Sequence, residues 1–141
     1  MAQVYVAGPL FNEGERWYDE QIDAVVRAAG FTTFLPHRDG VEGKQKSAGN
    51  LRAIFDEDRD NVDAAQIVVA NLNGNAVDDG TAWELGYAYA KGKYLIGVRT
   101  DWRKGFPDQQ VNLMIEECLH VMVRSLEELR TVLADLKSEG E

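Results

Sequence analysis

Cysteine, histidine and long apolar runs are all scarce in this sequence of 141 residues. Cys118 is the single cysteine, so an internal disulfide is excluded, and we expect its side chain to lie in the core. One cysteine and two histidines that are distant in the sequence do not supply the ligands of a zinc site. No apolar run approaches the roughly 18 residues that span a bilayer. Segment 1–11 has neither the charged start nor the cleavage site of a signal peptide. We therefore expect a cytoplasmic protein that does not enter a membrane.

Positive charge is also scarce. The chain has 15 basic and 24 acidic residues, and its net charge of -9 would repel a polyphosphate backbone. Nucleic acid is therefore not an expected partner. With 45% hydrophobic residues, the chain can fill one core but is too short for two ordinary domains, so we predict a single domain over residues 1–141.

The apolar residues form short runs that alternate with segments of helical spacing. The predicted strands cover residues 4–7, 31–35, 67–70, 94–98 and 120–123. The predicted helices are one that stops at Gly30, three over 50–62, 81–90 and 111–117, and a closing amphipathic helix capped by Ser125. Strands that are apolar on both faces and alternate with helices indicate a doubly wound α/β fold. We predict a five-stranded parallel sheet in the flavodoxin-like order 2-1-3-4-5, with helices on both faces.

This topology predicts where a ligand binds. In an open parallel sheet, ligands bind at the carboxyl ends of the strands beside the point where the strand order reverses. Turn 8–11 and loop 71–80 should therefore face each other across a site. The polar segment 37–49 is predicted to be a mobile loop, and neither it nor either histidine is given a role in the site.

Two carboxylates in the predicted site could carry chemistry. Asp78 and Glu84 are separated by a predicted turn centred on Gly80, so both could project into one cleft. In the first turn of a helix, the dipole would favour a charged Glu84 by about 0.3 to 1 kcal/mol, which suits a nucleophile. A neighbouring carboxylate acts in the opposite direction and can hold a proton for acid catalysis. On spacing alone, a structural role also fits: Asp78 and Asp79 as turn residues, and Glu84 as a helix stabiliser.

The turn after the first strand disfavours two cofactor classes. Gly8 and Pro9 lack the G-x-G-x-x-G spacing of a dinucleotide site and the G-K-S/T of a phosphate-binding loop. Four separated segments instead resemble the nucleoside 2-deoxyribosyltransferase family. They are residues 4–11, Asp58 shortly before the third strand, residues 78–88 and residues 112–114. The resemblance covers nearly the whole chain, and it implies an enzyme that transfers the 2-deoxyribosyl group of 2'-deoxynucleosides between nucleobases.

The resemblance also implies a role for each catalytic candidate. Glu84 would attack the anomeric carbon and form a covalent deoxyribosyl-enzyme intermediate, which is suitable chemistry for a carboxylate facing an oxocarbenium-like centre. Asp58 and Asp78 would hydrogen-bond the base and manage its proton. Tyr5 would donate a hydrogen bond that orients Glu84. No metal or organic cofactor is implied, because the nucleophile and the acid are both side chains.

The remaining site candidates are implied to bind the substrate. Asn112, with Met114 beside it, would reach the sugar hydroxyls from a neighbouring subunit, which implies a homo-oligomer. The other expected substrate-binding residues are Gly8, Phe11, Asp79 and Gly80.

Two other functions stay open. The chain could hydrolyse deoxynucleosides or nucleoside 5'-monophosphates, or it could be a non-catalytic nucleotide-binding module. Relatives that act on monophosphates hold the phosphate with a Gly- and Ser-rich turn, whereas here Pro9 lacks an amide donor and segment 8–12 has no serine. This favours free nucleosides, with the base preference and the discrimination against ribose left open.

Overall fold

Residues 2–40 and 50–140 are described by a computed structural model. The strands are β1 (Gln3–Ala7), β2 (Thr32–Phe34), β3 (Ile67–Asn71), β4 (Tyr94–Val98) and β5 (Val121–Val123). The helices within these ranges are α1 (Glu13–Ala28), α2 (Pro36–Asp39), α3 (Leu51–Ala64), α4 (Asp79–Ala90), α5 (Leu113–Glu116) and α6 (Leu126–Glu139). None of these helices is both long and apolar enough to cross a bilayer.

The strands form one parallel sheet in the order β2-β1-β3-β4-β5, so the predicted topology is confirmed. β1 and β3 lie side by side with Tyr5 opposite Val68, and β3 continues the sheet to β4. The order reverses at β1, where the chain goes first to β2 on one side and then to β3 on the other. The carboxyl ends of β1 and β3 are therefore adjacent at one edge.

Alternate residues of the strands supply two separate cores. Val4 and Val6 pack on one face with apolar side chains of α1 and α6. Tyr5 and Ala7 point to the opposite face, where they pack with residues of α3 and α4. This alternation follows from the strand period of two residues, and it explains why the central strands β1, β3 and β4 carry buried apolar residues on both sides. The sheet is thus covered by helices on both faces, as predicted.

Side-chain caps set several helix boundaries. Ser125 accepts a hydrogen bond from the Glu128 amide at 3.1 Å, so the predicted cap of α6 is confirmed. Asn12 caps α1 in the same way, with the Glu15 amide at 2.8 Å. Gly30 follows α1 with a φ of 97°, in the left-handed region that glycine adopts at little cost.

Several predicted boundaries differ from the structure; α5, for example, begins at Leu113 instead of residue 111. α2 forms within the segment predicted as a mobile loop, because Pro36 begins it and the Asp39 carboxylate accepts a hydrogen bond from the Leu35 amide at 2.9 Å. The rest of that loop, 41–49, lies outside the described residues. α4 begins at Asp79 instead of residue 81, since the carboxylate of Asp78 caps it.

Candidate active site

The turn after β1 and the loop after β3 meet at the carboxyl edge of the sheet, as predicted. A methyl group added at Gly8 would lie 2.9 Å from the Asn71 Cβ and 2.6 Å from an oxygen of Asp19. Pro9, Asn71 and residues of α1 also line a shared cavity of about 480 Å³. Gly8 is therefore required by close packing between the two segments.

Tyr5 and Glu84 form the central contact of the site. The Tyr5 hydroxyl donates a short hydrogen bond to the Glu84 carboxylate. Tyr5 is fully buried on β1, and its ring stacks on Phe34 with centroids 5.7 Å apart, so the donor is held by packing. Glu84 is half-buried. A rigid phenol thus fixes the orientation of a carboxylate at the edge of the sheet.

The position of Glu84 in its helix differs from the prediction. Glu84 is the sixth residue of α4 and lies in the second turn. Gly80, predicted at the centre of a turn, lies in the first turn of the helix and has no positive φ. Both differences arise because Asp78 starts the helix early. The helix dipole acts mainly on the first turn, so the Tyr5 hydroxyl, rather than the dipole, holds the Glu84 carboxylate.

Asp78 has a structural role in addition to any chemical one. Its Oδ2 accepts hydrogen bonds from the amide and the hydroxyl of Thr81, each at 2.9 Å. This is the cap of α4, and it agrees with the structural interpretation of the sequence pattern. Asp79 is exposed in the first turn of the helix. Asp78 and Glu84 therefore lie on one helix, the first at its cap and the second in its second turn.

Two other predicted residues, Asp58 and Phe11, lie on separate segments. Asp58 is half-buried on α3, which packs beside α4. Phe11 is 61% exposed in the turn after β1, and its amide donates to the Glu15 carboxylate at 3.0 Å. Arg16 donates to the Leu10 carbonyl at 3.0 Å, so the turn is held by α1 at two points.

Asp79, Asn112 and Met114 line a common cavity of about 560 Å³ between α4 and α5. The side chain of Asn112 caps α5 by accepting from the Met114 amide at 2.8 Å. Met114 is 74% exposed. Glu84 is not among the residues lining this cavity, since its carboxylate contacts Tyr5 on β1. Asn112 and Met114 thus line a cavity beside α5, while the Glu84 carboxylate contacts β1.

Asp19 is a residue of this region that the sequence reasoning missed. It lies on α1, is 2% exposed, and accepts a hydrogen bond from the side-chain NH₂ of Asn71 at 2.9 Å. Burial raises its pKa to about 7; the Asn71 hydrogen bond opposes this, and the negative charges of Glu15, Glu20 and Asp78 add to it. The available signal was an acidic residue in the apolar stripe of α1, one turn before Ile22.

A second polar network fixes the loop that leads to Asp78. The buried Arg99 donates to the carbonyls of Leu72 at 2.5 Å and Gly74 at 3.1 Å. The Asn73 side-chain oxygen accepts from the amides of Thr100 at 2.8 Å and Asp101 at 3.0 Å. These bonds join the loop after β3 to the loop after β4.

Within residues 2–40 and 50–140, no group of three His, Cys, Asp or Glu side chains is arranged to hold a metal ion.

Fold and site together define a flavodoxin-like α/β protein with a carboxylate held by a phenol beside the switch point of the sheet. The family model for nucleoside 2-deoxyribosyltransferase matches residues 4–121. The chain belongs to this family, and the resemblance noted in the sequence is confirmed.

Solved structures are similar over nearly the whole chain. A 2-deoxyribosyltransferase from Bacillus psychrosaccharolyticus is similar, with a TM-score of 0.78 and 27% identity over 92% of this chain and 90% of that one. A 2-deoxyribosyltransferase from Leishmania mexicana has a TM-score of 0.73 and 25% identity over 96% and 98% of the two chains. A conserved protein from Enterococcus faecalis has a TM-score of 0.79 and 26% identity over 96% and 98%. The comparison with curated proteins yields no significant match.

Proposed function

We propose that this protein transfers the 2-deoxyribosyl group between nucleobases, with Glu84 as the nucleophile. The observation that carries the proposal is the hydrogen bond from the buried Tyr5 hydroxyl to the Glu84 carboxylate, in a chain of this family. Two similar structures are described as 2-deoxyribosyltransferases. A fixed, half-buried carboxylate beside the switch point is what nucleophilic attack on a bound sugar requires.

The reaction proceeds in two displacements. A Glu84 oxygen bonds to C1' of the deoxynucleoside while the bond from C1' to the base nitrogen breaks. The electron pair of that bond leaves with the base, which takes up a proton. A nitrogen of a second nucleobase then attacks C1', releases the Glu84 carboxylate and loses its proton. Splitting the exchange in this way replaces one difficult step with two easier ones.

Asp58 and Asp78 are proposed to bind the base and to handle its proton. Asp58 is supported by its half-buried position on α3, beside the helix that carries Glu84. Asp78 is supported by its place at the end of the loop after β3, where Arg99 and Asn73 fix the backbone. One Asp78 oxygen accepts both bonds from Thr81, which leaves its carboxylate oriented by the helix it caps.

Asn112 and Met114 are proposed to complete the site of a neighbouring subunit. They line a cavity between α4 and α5, whereas the Glu84 carboxylate of the same chain contacts Tyr5 on β1. Met114 and Leu113 are 74% and 52% exposed, which leaves an apolar surface next to Asn112. Such a surface is typical of a contact between subunits.

A free nucleoside is the proposed substrate rather than a nucleotide. Pro9 has no amide proton to donate to a phosphate, and Gly8 lies against an oxygen of Asp19. A carboxylate beneath this turn would repel a phosphate group placed on it. The acidic surroundings of the turn therefore support the preference that its sequence suggests.

The test is incubation with deoxyinosine, with and without adenine. We expect deoxyadenosine only when adenine is present, and a covalent sugar adduct on Glu84 when a 2'-fluorinated nucleoside is used. Glu84→Gln should lower turnover by several orders of magnitude and leave the fold intact. Glu127→Gln, an exposed glutamate on α6, is the matched control and should keep full activity.

Three results would contradict the proposal. Release of hypoxanthine at the same rate without adenine, with no deoxyadenosine formed, would show a hydrolase. A loss of only about tenfold in Glu84→Gln would give that residue a supporting role. Absence of turnover and of the adduct in the unaltered protein, with ligand binding retained in Glu84→Ala, would show a binding module.

A further inference from the structure

Asp19 joins three segments of the site at one carboxyl group. It lies on the face of α1 that packs against the sheet, with the fully buried Ile22 one turn further along. Its Oδ1 accepts from the side-chain amide of Asn71, which is the last residue of β3. The same oxygen lies 2.6 Å from the place where a Gly8 Cβ would stand. α1, the turn after β1 and the end of β3 thus meet at Asp19.

Asn71 carries this contact onward to the loop. Its side-chain NH₂ donates to Asp19 at 2.9 Å, and its side-chain oxygen accepts from the Asn73 amide at 3.0 Å. Asn73 in turn holds the amides after β4. The Asn71 side chain therefore contacts two segments: its NH₂ group binds α1, and its oxygen binds the loop that leads to Asp78.

We propose that Asp19 is a positioning residue for the transfer reaction, which acts through Asn71 to hold the loop after β3 against the turn after β1. This inference rests on the proposed function, because the two segments it joins are those expected to contact the base and the sugar. Asp19 contacts no reacting atom in this proposal. It sets where Asp78 and Gly8 lie relative to each other.

A comparison with Asp23 distinguishes Asp19 from a structural carboxylate. Asp23 is 4% exposed on the same helix and pairs with Arg27 at 3.1 Å and Arg38 at 2.7 Å. Among the residues that the structure describes, the hydrogen-bond partner of Asp19 is the neutral Asn71, and no basic side chain forms an ion pair with it. Two arginines stabilise a buried Asp23 charge, whereas the Asp19 charge is buried without a cation among residues 2–40 and 50–140.

The groups that face Asp19 make its charge sensitive to pH. Glu15 and Glu20 on α1 and Asp78 at the start of α4 place further negative charge near it. Burial and these three charges hold its pKa at about 7, with the Asn71 bond opposing them. A charged acceptor makes a stronger hydrogen bond than a neutral one. The Asn71 contact is therefore tighter in the ionised protein, and positioning should improve as pH rises through neutrality.

The experiment compares kcat and KM for deoxyribosyl transfer from pH 5.5 to 8.5 in three proteins: the unaltered chain, Asp19→Asn and Asp23→Asn. At pH 8 we expect kcat/KM of Asp19→Asn to fall by about five- to tenfold, which is the loss of a charge-assisted hydrogen bond. At pH 6, where both proteins have a neutral group at position 19, the difference should be under about twofold. Asp23→Asn should keep the pH profile of the unaltered chain.

Asn71→Ala provides a second, independent readout. It should remove the same pH-dependent difference, and the double variant Asp19→Asn/Asn71→Ala should be no worse than Asn71→Ala alone, since the two residues act as one unit. A ratio between the unaltered chain and Asp19→Asn that does not change with pH would overturn the inference. So would additive effects in the double variant, or an equal change of profile in Asp23→Asn.

Failure of this inference can be told apart from failure of the proposed function. Hypoxanthine release without adenine is measured in the same series. If the protein only hydrolyses deoxyinosine, the transferase proposal is refuted, and the pH dependence of Asp19→Asn is then compared on the rate of hydrolysis. An unaltered protein with neither activity refutes the function and this inference together. Normal transfer with a pH-independent Asp19 effect refutes the inference alone.

Discussion

Replacement of Asp19 by asparagine should change how the stability of the protein depends on pH. The carboxyl is 2% exposed, and burial raises its pKa from 3.8 to about 7. In the unfolded chain the pKa returns to its ordinary value of about 3.9. Between about pH 4 and pH 7 the native protein therefore holds a proton that the unfolded chain has released. Native stability falls as pH rises across this window, and the loss is complete above it.

The magnitude follows from the size of the shift. Each pKa unit corresponds to about 1.4 kcal/mol, so a shift of about three units corresponds to about 4 kcal/mol at most. Asparagine has a similar shape, can still accept from Asn71, and never ionises. About 1 kcal/mol of this effect is already present at pH 4.5, so the free energy of unfolding of Asp19→Asn, relative to the unaltered protein, should increase by about 3 kcal/mol between pH 4.5 and pH 8.

Urea denaturation at pH 4.5, 6 and 8 measures this difference, since all other titrating groups are shared and largely cancel. Asp23→Asn serves as the control. It breaks two ion pairs of a buried carboxylate, so it should destabilise the protein at each pH and not gain stability at pH 8. Parallel stability curves for the unaltered protein and Asp19→Asn would refute the reasoning, because they would show that Asp19 titrates alike in the folded and unfolded states.

Two further predictions concern the contacts between segments and between subunits. Gly8→Ala should destabilise the protein by about 1 to 3 kcal/mol in urea denaturation, because its Cβ would clash with Asp19 and Asn71; Gly86→Ala, whose Cβ would meet no atom within 4 Å, should not. If subunits share sites, mixing the inactive variants Glu84→Gln and Asn112→Ala should restore about a quarter of the activity in a dimer. No recovery after verified subunit exchange would contradict the shared site.

The sheet was predictable from local pattern. Each strand is a short apolar run, and each stretch between strands contains a helical spacing or a polar loop, so the alternation leaves few topologies. The start of the last helix was also predictable, because Ser125 and Glu128 lie close in sequence and make a local contact. In both cases the information lies within a few residues of the feature it determines.

The details of the candidate site depended on contacts that local pattern does not contain. The Tyr5–Glu84 bond joins residues 79 apart in the sequence, and its expectation came from family resemblance, not from spacing. The Asp19–Asn71 bond spans 52 residues, and an acidic residue on a helix gives little sign of burial before the packing is known. The early start of α4 was missed because Asp78 fits a turn as well as a helix cap.

The network around Arg99 has a consequence for ligand affinity. A nucleoside has few atoms and makes few contacts, so the entropy lost in ordering a loop around it would offset much of its binding free energy. Here the carbonyls of Leu72 and Gly74 are already tied to a buried guanidinium, so the loss of backbone entropy in that stretch belongs to folding. For the proposed reaction, a preorganised loop of this kind would leave the free energy of the contacts with base and sugar for binding and for catalysis.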